Sequence, residues 1–169
     1  ELLLEMDRLG FILDATHLCD QTFYQALDVF EGPVWASHSN CRALVNDPRQ
    51  FSDEQIRLLI ERDSVIGGAL DAWMIVPNWV RQCSTPEEMG VRLDHLVDHL
   101  DHICQLAGNA KHVGIGSDLD GGFGCEQTPI DVRSIADLAA LEGLLSKRGF
   151  DEGEVTDVLS GNFIRFLRQ

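Results

Sequence analysis

Short apolar runs alternate with amphipathic stretches along this chain, and that alternation predicts its elements. Leu2, Leu3, Leu4, Met6 and Leu9 form the apolar face of an opening helix that stops at Gly10. Residues 11–15 (FILDA) predict a buried strand running into Thr16 and His17. Cap candidates at 19–22 introduce a helix over about 21–30, with Phe23, Ala26, Leu27 and Phe30 on one face. After a turn at Glu31, Gly32 and Pro33, a second strand at 34–36 leads into Ser37, His38, Ser39 and Asn40. Ser52 with Gln55 reads as a capping box ahead of a helix carrying Ile56, Leu59 and Ile60. A third strand at 65–70 (VIGGAL) has two glycines, which points to close approach of a neighbouring backbone or a ligand. Residues 71–82 read as irregular. Thr85 and Pro86 open a helix expected to continue to about Ala107, stopped by Gly108. A fourth strand at 113–117 precedes Asp118, Asp120 and a glycine-rich loop over 121–128. Two helices close the chain, one from 130 or 131 to 148 and one over 151–169 with a break near Gly161.

Strand and helix alternating four times predict an α/β fold with a parallel sheet. The strands are short and continuously apolar, as strands buried on both faces are. A complete TIM (β/α)8 barrel takes about 250 residues. The 169 residues, opening inside a helix, therefore fit its C-terminal part: about four βα units in a single domain over 1–169. An open flavodoxin-like sheet is the competing architecture.

Charge narrows the partners. The net charge is -15, from 28 acidic and 13 basic residues, and such a surface repels phosphate backbones, so no nucleic acid is expected. No apolar run is long enough for a transmembrane segment. The five cysteines are scattered, without a Cys-x-x-Cys pair, which suggests neither a zinc ribbon nor a redox motif. That pattern fits a reducing compartment and, with no signal peptide visible in this sequence, favours the cytoplasm.

His17 and His38 end consecutive strands. In a parallel sheet those ends lie side by side, so the two imidazoles can converge on one metal, with Asp118 at a third strand end. Zinc suits imidazole and carboxylate ligands, and a water bound to it titrates near neutrality. Taken alone, residues 113–122 read as a strand with an Asp-Gly turn. Arg49, in the loop after His38, could grip a substrate carboxylate with its forked guanidinium. His95, His99 and His102 share a helix face, but the interleaved Asp94, Asp98 and Asp101 favour a solvated or packing helix over a metal site. A calcium loop starting at Asp118 fails, because Gly122 and Pro129 stand at its fifth and twelfth positions. Neither a nucleophile elbow nor a phosphate loop is present.

Five segments together resemble one family: ATHLCD around His17, WASHSN around His38, NDPRQ around Arg49, DHLDHI at 98–103 and GIGSDLDGG around Asp118. The chain is similar, over nearly its whole length, to the C-terminal half of the membrane (renal) dipeptidases, peptidase family M19. The resemblance implies a (β/α)8 barrel of the amidohydrolase type that hydrolyses dipeptides, often with a D-residue on the C-terminal side. It implies two zinc ions bridged by a carboxylate and by the hydroxide that attacks. By the same resemblance His17 and His38 bind the second zinc, Asp118 is the catalytic acid and base, and Arg49 holds the carboxylate of the dipeptide substrate.

The sequence also departs from that pattern. The family's His-x-Asp pair and bridging Glu belong to earlier strands, and only sixteen residues precede His17. The chain is therefore expected to hold at most a partial zinc site and to be inactive alone. The tyrosine that members offer after the third strand is replaced by Asp71, Ala72, Trp73 and Met74, which leaves the preferred dipeptide open. Two alternatives stand: another amidohydrolase-type hydrolase acting on a lactone, amide or phosphoester, and a catalytically incompetent fragment. An opened barrel has two unpaired sheet edges, so the chain alone is expected to form a homodimer, to swap or to aggregate.

Overall fold

The computed structural model describes residues 1–119 and 121–168; Asp120, a supporting or turn residue on the sequence reading, lies outside the described residues. In chain order the elements are α1 (Leu2–Arg8), β1 (Leu13–Asp14), α2 (Asp20–Val29), β2 (Val34–Trp35), α3 (Asp53–Glu61), β3 (Ile66–Ala69), α4 (Ala72–Ile75), α5 (Pro86–Met89), α6 (Leu93–Ala107) and β4 (Val113–Ser117). Two 3-10 turns follow, Cys125–Gln127 and Ile135–Ala139, then α7 (Ala140–Arg148), α8 (Glu152–Thr156), a π-helical turn at Asp157–Gly161 and α9 (Asn162–Phe166).

The strands pair in parallel, β1 with β2 and β3 with β4. A bridge from Ala36 to Ile66 joins the two pairs. It rests on Ala36 N–H donating to Val65 O (3.0 Å) and Gly67 N–H donating to Ala36 O (2.8 Å). The strands therefore follow one another in chain order, and parallel neighbours need a crossover between each pair. Helices α2, α3 and α6 supply these crossovers. This is the α/β alternation expected from the hydrophobic pattern.

β1 and β2 are shorter than the sequence suggests, with two residues each in place of 11–15 and 34–36. A side chain takes over where the ladder stops. Asp14 Oδ1 accepts from Thr16 N–H (3.0 Å) and Ser37 N–H (3.1 Å), so the two loops leave the sheet tied to one carboxylate.

The helix expected from Thr85 to Ala107 is two helices. Gly90 adopts a left-handed φ of 63°, which ends α5 and lets the chain restart at α6. The 71–82 segment is not wholly irregular, since four residues form α4. The helix expected from 130 or 131 is α-helical only from Ala140, after a 3-10 turn capped by Ser134 and Asp137. Near Gly161 the helix is not broken; it widens into the π turn. The capping box at Ser52 and Gln55 forms as expected.

The core lies between the sheet and α3, α6 and α7. Ile56, Leu59, Leu93, Leu96, Leu100, Ile103, Leu141 and Leu145 are all buried. Gly68 makes room for α6: a Cβ there would strike the side chains of Leu96 and Leu100. Truncating such a leucine to alanine costs about 2–5 kcal/mol. On α1 no residue is buried, and Leu2, Leu4 and Leu9 remain exposed although the pattern gave them a core-facing role. No helix among the described residues is long and apolar enough to cross a membrane.

Candidate functional site

The C-terminal ends of the strands carry the polar groups. The register sets Asp14 opposite Trp35, and His17 and His38 each lie three residues beyond that pair. Their Nε2 atoms come within 3.1 Å, with ring centroids 5.0 Å apart and planes at 67°. The turn after β1 puts His17 in the left-handed region at φ 68°, and the turn after β4 does the same to Asp118 at φ 60°. Such backbone is uncommon outside glycine and gathers at functional sites. Asp118 Oδ1 lies 3.8 Å from His38 Nε2.

Hydrogen bonds fix the orientation of His38. Its Nδ1 is 2.8 Å from Ser37 Oγ, and the Ser37 hydroxyl donates onward to Thr16 Oγ1 (3.4 Å). With Ser37 oxygen as acceptor, the proton sits on Nδ1 and the Nε2 lone pair faces His17. Burial lowers the pKa of His38, with Asp118 working against that and the Arg49 and His17 charges working with it.

The two facing nitrogens suit a shared cation. Two zinc–nitrogen bonds of about 2.0–2.1 Å at a tetrahedral angle separate their nitrogens by about 3.3 Å. Two acceptors this close, held from different strands, fit zinc as two of its ligands. Among the described residues no third His, Cys, Asp or Glu completes a cluster around them.

Arg49 reaches into the same place. Its Nη2 donates to His38 O (3.0 Å) and lies 3.4 Å from His17 Nε2; its Nη1 donates to Ser39 Oγ (3.4 Å). Asp47 Oδ1 accepts from the Arg49 backbone N–H (2.8 Å) and fixes the loop. The guanidinium is half-buried, and among the described residues it forms no ion pair. Burial lowers its pKa, opposed by Asp118, Asp14, Asp47 and Asp71. A half-buried cation without a carboxylate partner is suited to an anionic ligand. His17, Arg49 and Asp118 line one cavity of about 260 Å3, together with Asp71, Trp73, Arg81 and Gln127.

All four sequence-predicted residues thus meet. Several of their supports went unnoticed in the sequence. Asp14 is one, though a carboxylate inside an apolar run was a visible signal. Asn40 is another: it donates to Ala69 O (3.0 Å) and Met74 O (3.2 Å) and accepts from Ala69 N–H (2.9 Å), which fastens the His38 loop to the end of β3. Asp71 follows β3 as directly as the histidines follow their strands. Burial pushes its carboxyl up to about 6, opposed by the hydrogen bond from Trp73.

The helical histidines have structural tasks. His99 is buried; its Nδ1 accepts from Cys41 N–H (3.1 Å) and its Nε2 donates to Ile75 O (3.0 Å). His102 pairs with Asp53 at 2.8 Å, and His95 Nδ1 accepts from Arg92 N–H at 3.0 Å. Ser37 O lies so close to β3 and β4 that a Cβ on Gly67 or Gly116 would overlap it. The close backbone approach expected from VIGGAL is therefore real, and the loop carrying His38 is what approaches.

The family model described as Membrane dipeptidase (Peptidase family M19) matches residues 1–169. Mouse dipeptidase 3 is 33% identical over 98% of this chain and 31% of that protein. An uncharacterized dipeptidase of Schizosaccharomyces pombe is 29% identical over 95% of this chain and 36% of that protein. The chain thus spans about a third of the length of these curated relatives. A metallo peptidase from Rhodobacter sphaeroides, solved with a phosphinate mimic of the dipeptide L-Ala-D-Ala, superposes with a TM-score of 0.85 at 25% identity. That likeness covers 99% of this chain and 44% of the other. An amidohydrolase from Pseudomonas aeruginosa shares the fold, with a TM-score of 0.80 at 21% identity over 99% of this chain and 55% of the other.

Proposed function

This chain belongs to the membrane dipeptidase family, peptidase family M19, and from that premise we propose that the enzyme carrying it hydrolyses the peptide bond of small dipeptides. The observation that carries the reading is the convergence of His17, His38, Arg49 and Asp118 at the strand ends, with the two Nε2 atoms 3.1 Å apart. Such a position, at the C-terminal ends of parallel strands, is where a (β/α)8 barrel presents its chemistry. Residues 1–169 are, on this reading, one domain of about four βα units of such a barrel. Likenesses to metallopeptidases covering 44% and 46% of those chains support it.

His17 and His38 would hold one zinc ion. When bound, zinc supplies Lewis-acid polarisation of the scissile carbonyl and a water made acidic near neutral pH. The His-x-Asp pair and bridging carboxylate that a second zinc needs would come from outside residues 1–169. This chain's own residues do the rest. Arg49 grips the terminal carboxylate with guanidinium N–H groups that, among the described residues, have no carboxylate partner. Its grip fixes the peptide bond relative to the histidines. Asp118 takes a proton from the attacking water as the new carbon–oxygen bond forms. It returns that proton to the amide nitrogen as the carbon–nitrogen bond breaks, and two amino acids leave. A cytoplasmic setting is part of the proposal, supported by five free cysteines.

A panel of free dipeptides and their C-terminal amides, offered to the zinc-loaded full-length enzyme, tests the reading. Free dipeptides are expected to be cleaved, and the amides to lose at least tenfold in kcat/KM, because Arg49 has no carboxylate to hold. Absence of dipeptide hydrolysis would overturn it.

A further inference from the structure

One side of the site cavity is built around Trp73. Its indole N–H donates to Asp71 Oδ2 (2.7 Å), and Asp71 Oδ1 accepts from Gln127 Nε2 (3.4 Å), so the ring is held in place. The guanidinium carbon of Arg81 lies 4.5 Å from the Trp73 ring centroid, over its face. Stacking of this kind orients a guanidinium while leaving its N–H edge free.

Arg81 and Trp73 line the same cavity of about 260 Å3 as Arg49. They also line an adjoining cavity of about 250 Å3 with Asn46 and Asp47, the residues just before Arg49 in its loop. Arg81 therefore stands on the Arg49 side of the site. Among the described residues Arg81 forms no ion pair, and neither does Arg49. In a chain of net charge -15, one cavity is thus lined by two guanidinium groups, half-buried Arg49 and exposed Arg81, together with the carboxylates Asp71 and Asp118. Among the described residues neither arginine is in ion-pair contact with either acid. The Arg81 charge favours the ionised Asp71 carboxyl, while Asp71 itself is engaged by Trp73 and Gln127.

We propose that Arg81, stacked on Trp73, makes the site selective for dipeptides whose C-terminal residue has a carboxylate side chain, aspartyl or glutamyl. Arg49 holds the main-chain carboxylate and Arg81 the side-chain carboxylate. The inference rests on the dipeptidase reading and adds the substrate class to it.

The test compares kcat/KM for Ala-Asp with Ala-Asn, and Ala-Glu with Ala-Gln, using both enantiomers of the second residue and the zinc-loaded full-length enzyme. Each pair differs only in the charge on its side chain. The acidic member is expected to be favoured on the order of tenfold. Arg81→Ala is expected to bring the ratio to about one, Arg81→Lys to retain part of it, and Arg81→Glu to shift preference toward Ala-Lys. Calorimetric binding of free aspartate against asparagine gives a second readout, independent of turnover. A wild-type ratio near one, or an unchanged ratio in Arg81→Ala, overturns the proposal while the dipeptidase reading stands. Should no dipeptide be cleaved, the dipeptidase reading fails. A calorimetric preference for aspartate that disappears in Arg81→Ala would then still support the carboxylate site, and equal binding of both amino acids would remove it.

Discussion

His17 and His38 are 21 positions apart in sequence, yet their Nε2 atoms lie 3.1 Å apart, because each follows by three residues the paired strand positions Asp14 and Trp35. Parallel pairing of β1 and β2 is therefore what builds the centre. Ser37 then determines which His38 nitrogen faces inward.

That role of Ser37 gives the first prediction. Ser37→Ala removes the partner 2.8 Å from His38 Nδ1 and frees the ring to change tautomer and rotate. Loss of a group that orients a metal-binding histidine typically weakens metal affinity about 10–100-fold. Zinc competition against a chromophoric chelator, applied to the full-length enzyme, measures this. Affinity equal to wild type would mean that Ser37 does not orient the ring.

Asp14 ties together the loops bearing the two histidines. Against the burial that raises it, hydrogen bonds from Ser37 and Thr16 hold its carboxyl below the usual range. Asp14→Ala leaves two N–H groups without their acceptor, and stability is expected to fall by about 3 kcal/mol. Asp14→Asn keeps one side-chain oxygen and should lose less. Urea unfolding of both variants decides it, and equal losses would show that the charge, not the acceptor geometry, is what matters.

His99 makes stability depend on pH. Burial lowers its pKa to about 4, against 6.5 when unfolded. Between those values the unfolded state binds more protons, so stability falls as the solution is acidified from about 6.5 toward 4. The loss is on the order of 3 kcal/mol. Asp71, with its carboxyl pushed up to about 6, works the other way, losing its contribution as pH rises through that value. Denaturation curves of His99→Gln across this window should be flatter than wild type on the acid side. An unchanged slope would place the acid sensitivity elsewhere.

Exposed apolar groups govern the behaviour of the chain by itself. Leu2, Leu4, Leu9 and Phe11 are each more than half exposed, and they cluster on α1 and just before β1. Residues 1–169 in isolation are expected to pair with a second copy or aggregate. Sedimentation velocity should show species larger than 18.8 kDa. A monodisperse monomer would show that this surface is tolerated in water.

Much of the fold was legible because its signals are local. Ser52 and Gln55 cap α3 through two side chains three residues apart, and β4 is continuously apolar up to Ser117. The interruption at Gly90 was not legible, since glycine ends a helix only where tertiary packing gains from the turn; here Leu93 N–H finds Asp131 Oδ1 at 2.9 Å, a partner 38 positions away. The site follows the same division. His17, His38 and Asp118 could be read from their places after apolar runs. Asn40 and His99 could not, because their partners at Ala69, Met74, Cys41 and Ile75 are brought near only by the fold.

The most direct test of the proposed activity is kcat/KM on a free dipeptide for His38→Ala and Asp118→Asn in the full-length enzyme, with zinc content measured on the same samples. His38→Ala is expected to lose activity and zinc together. Asp118→Asn is expected to keep its zinc and lose about 10²–10⁴-fold in activity, as removal of a proton-transfer group does. Undiminished hydrolysis in either variant would contradict the roles assigned to these residues.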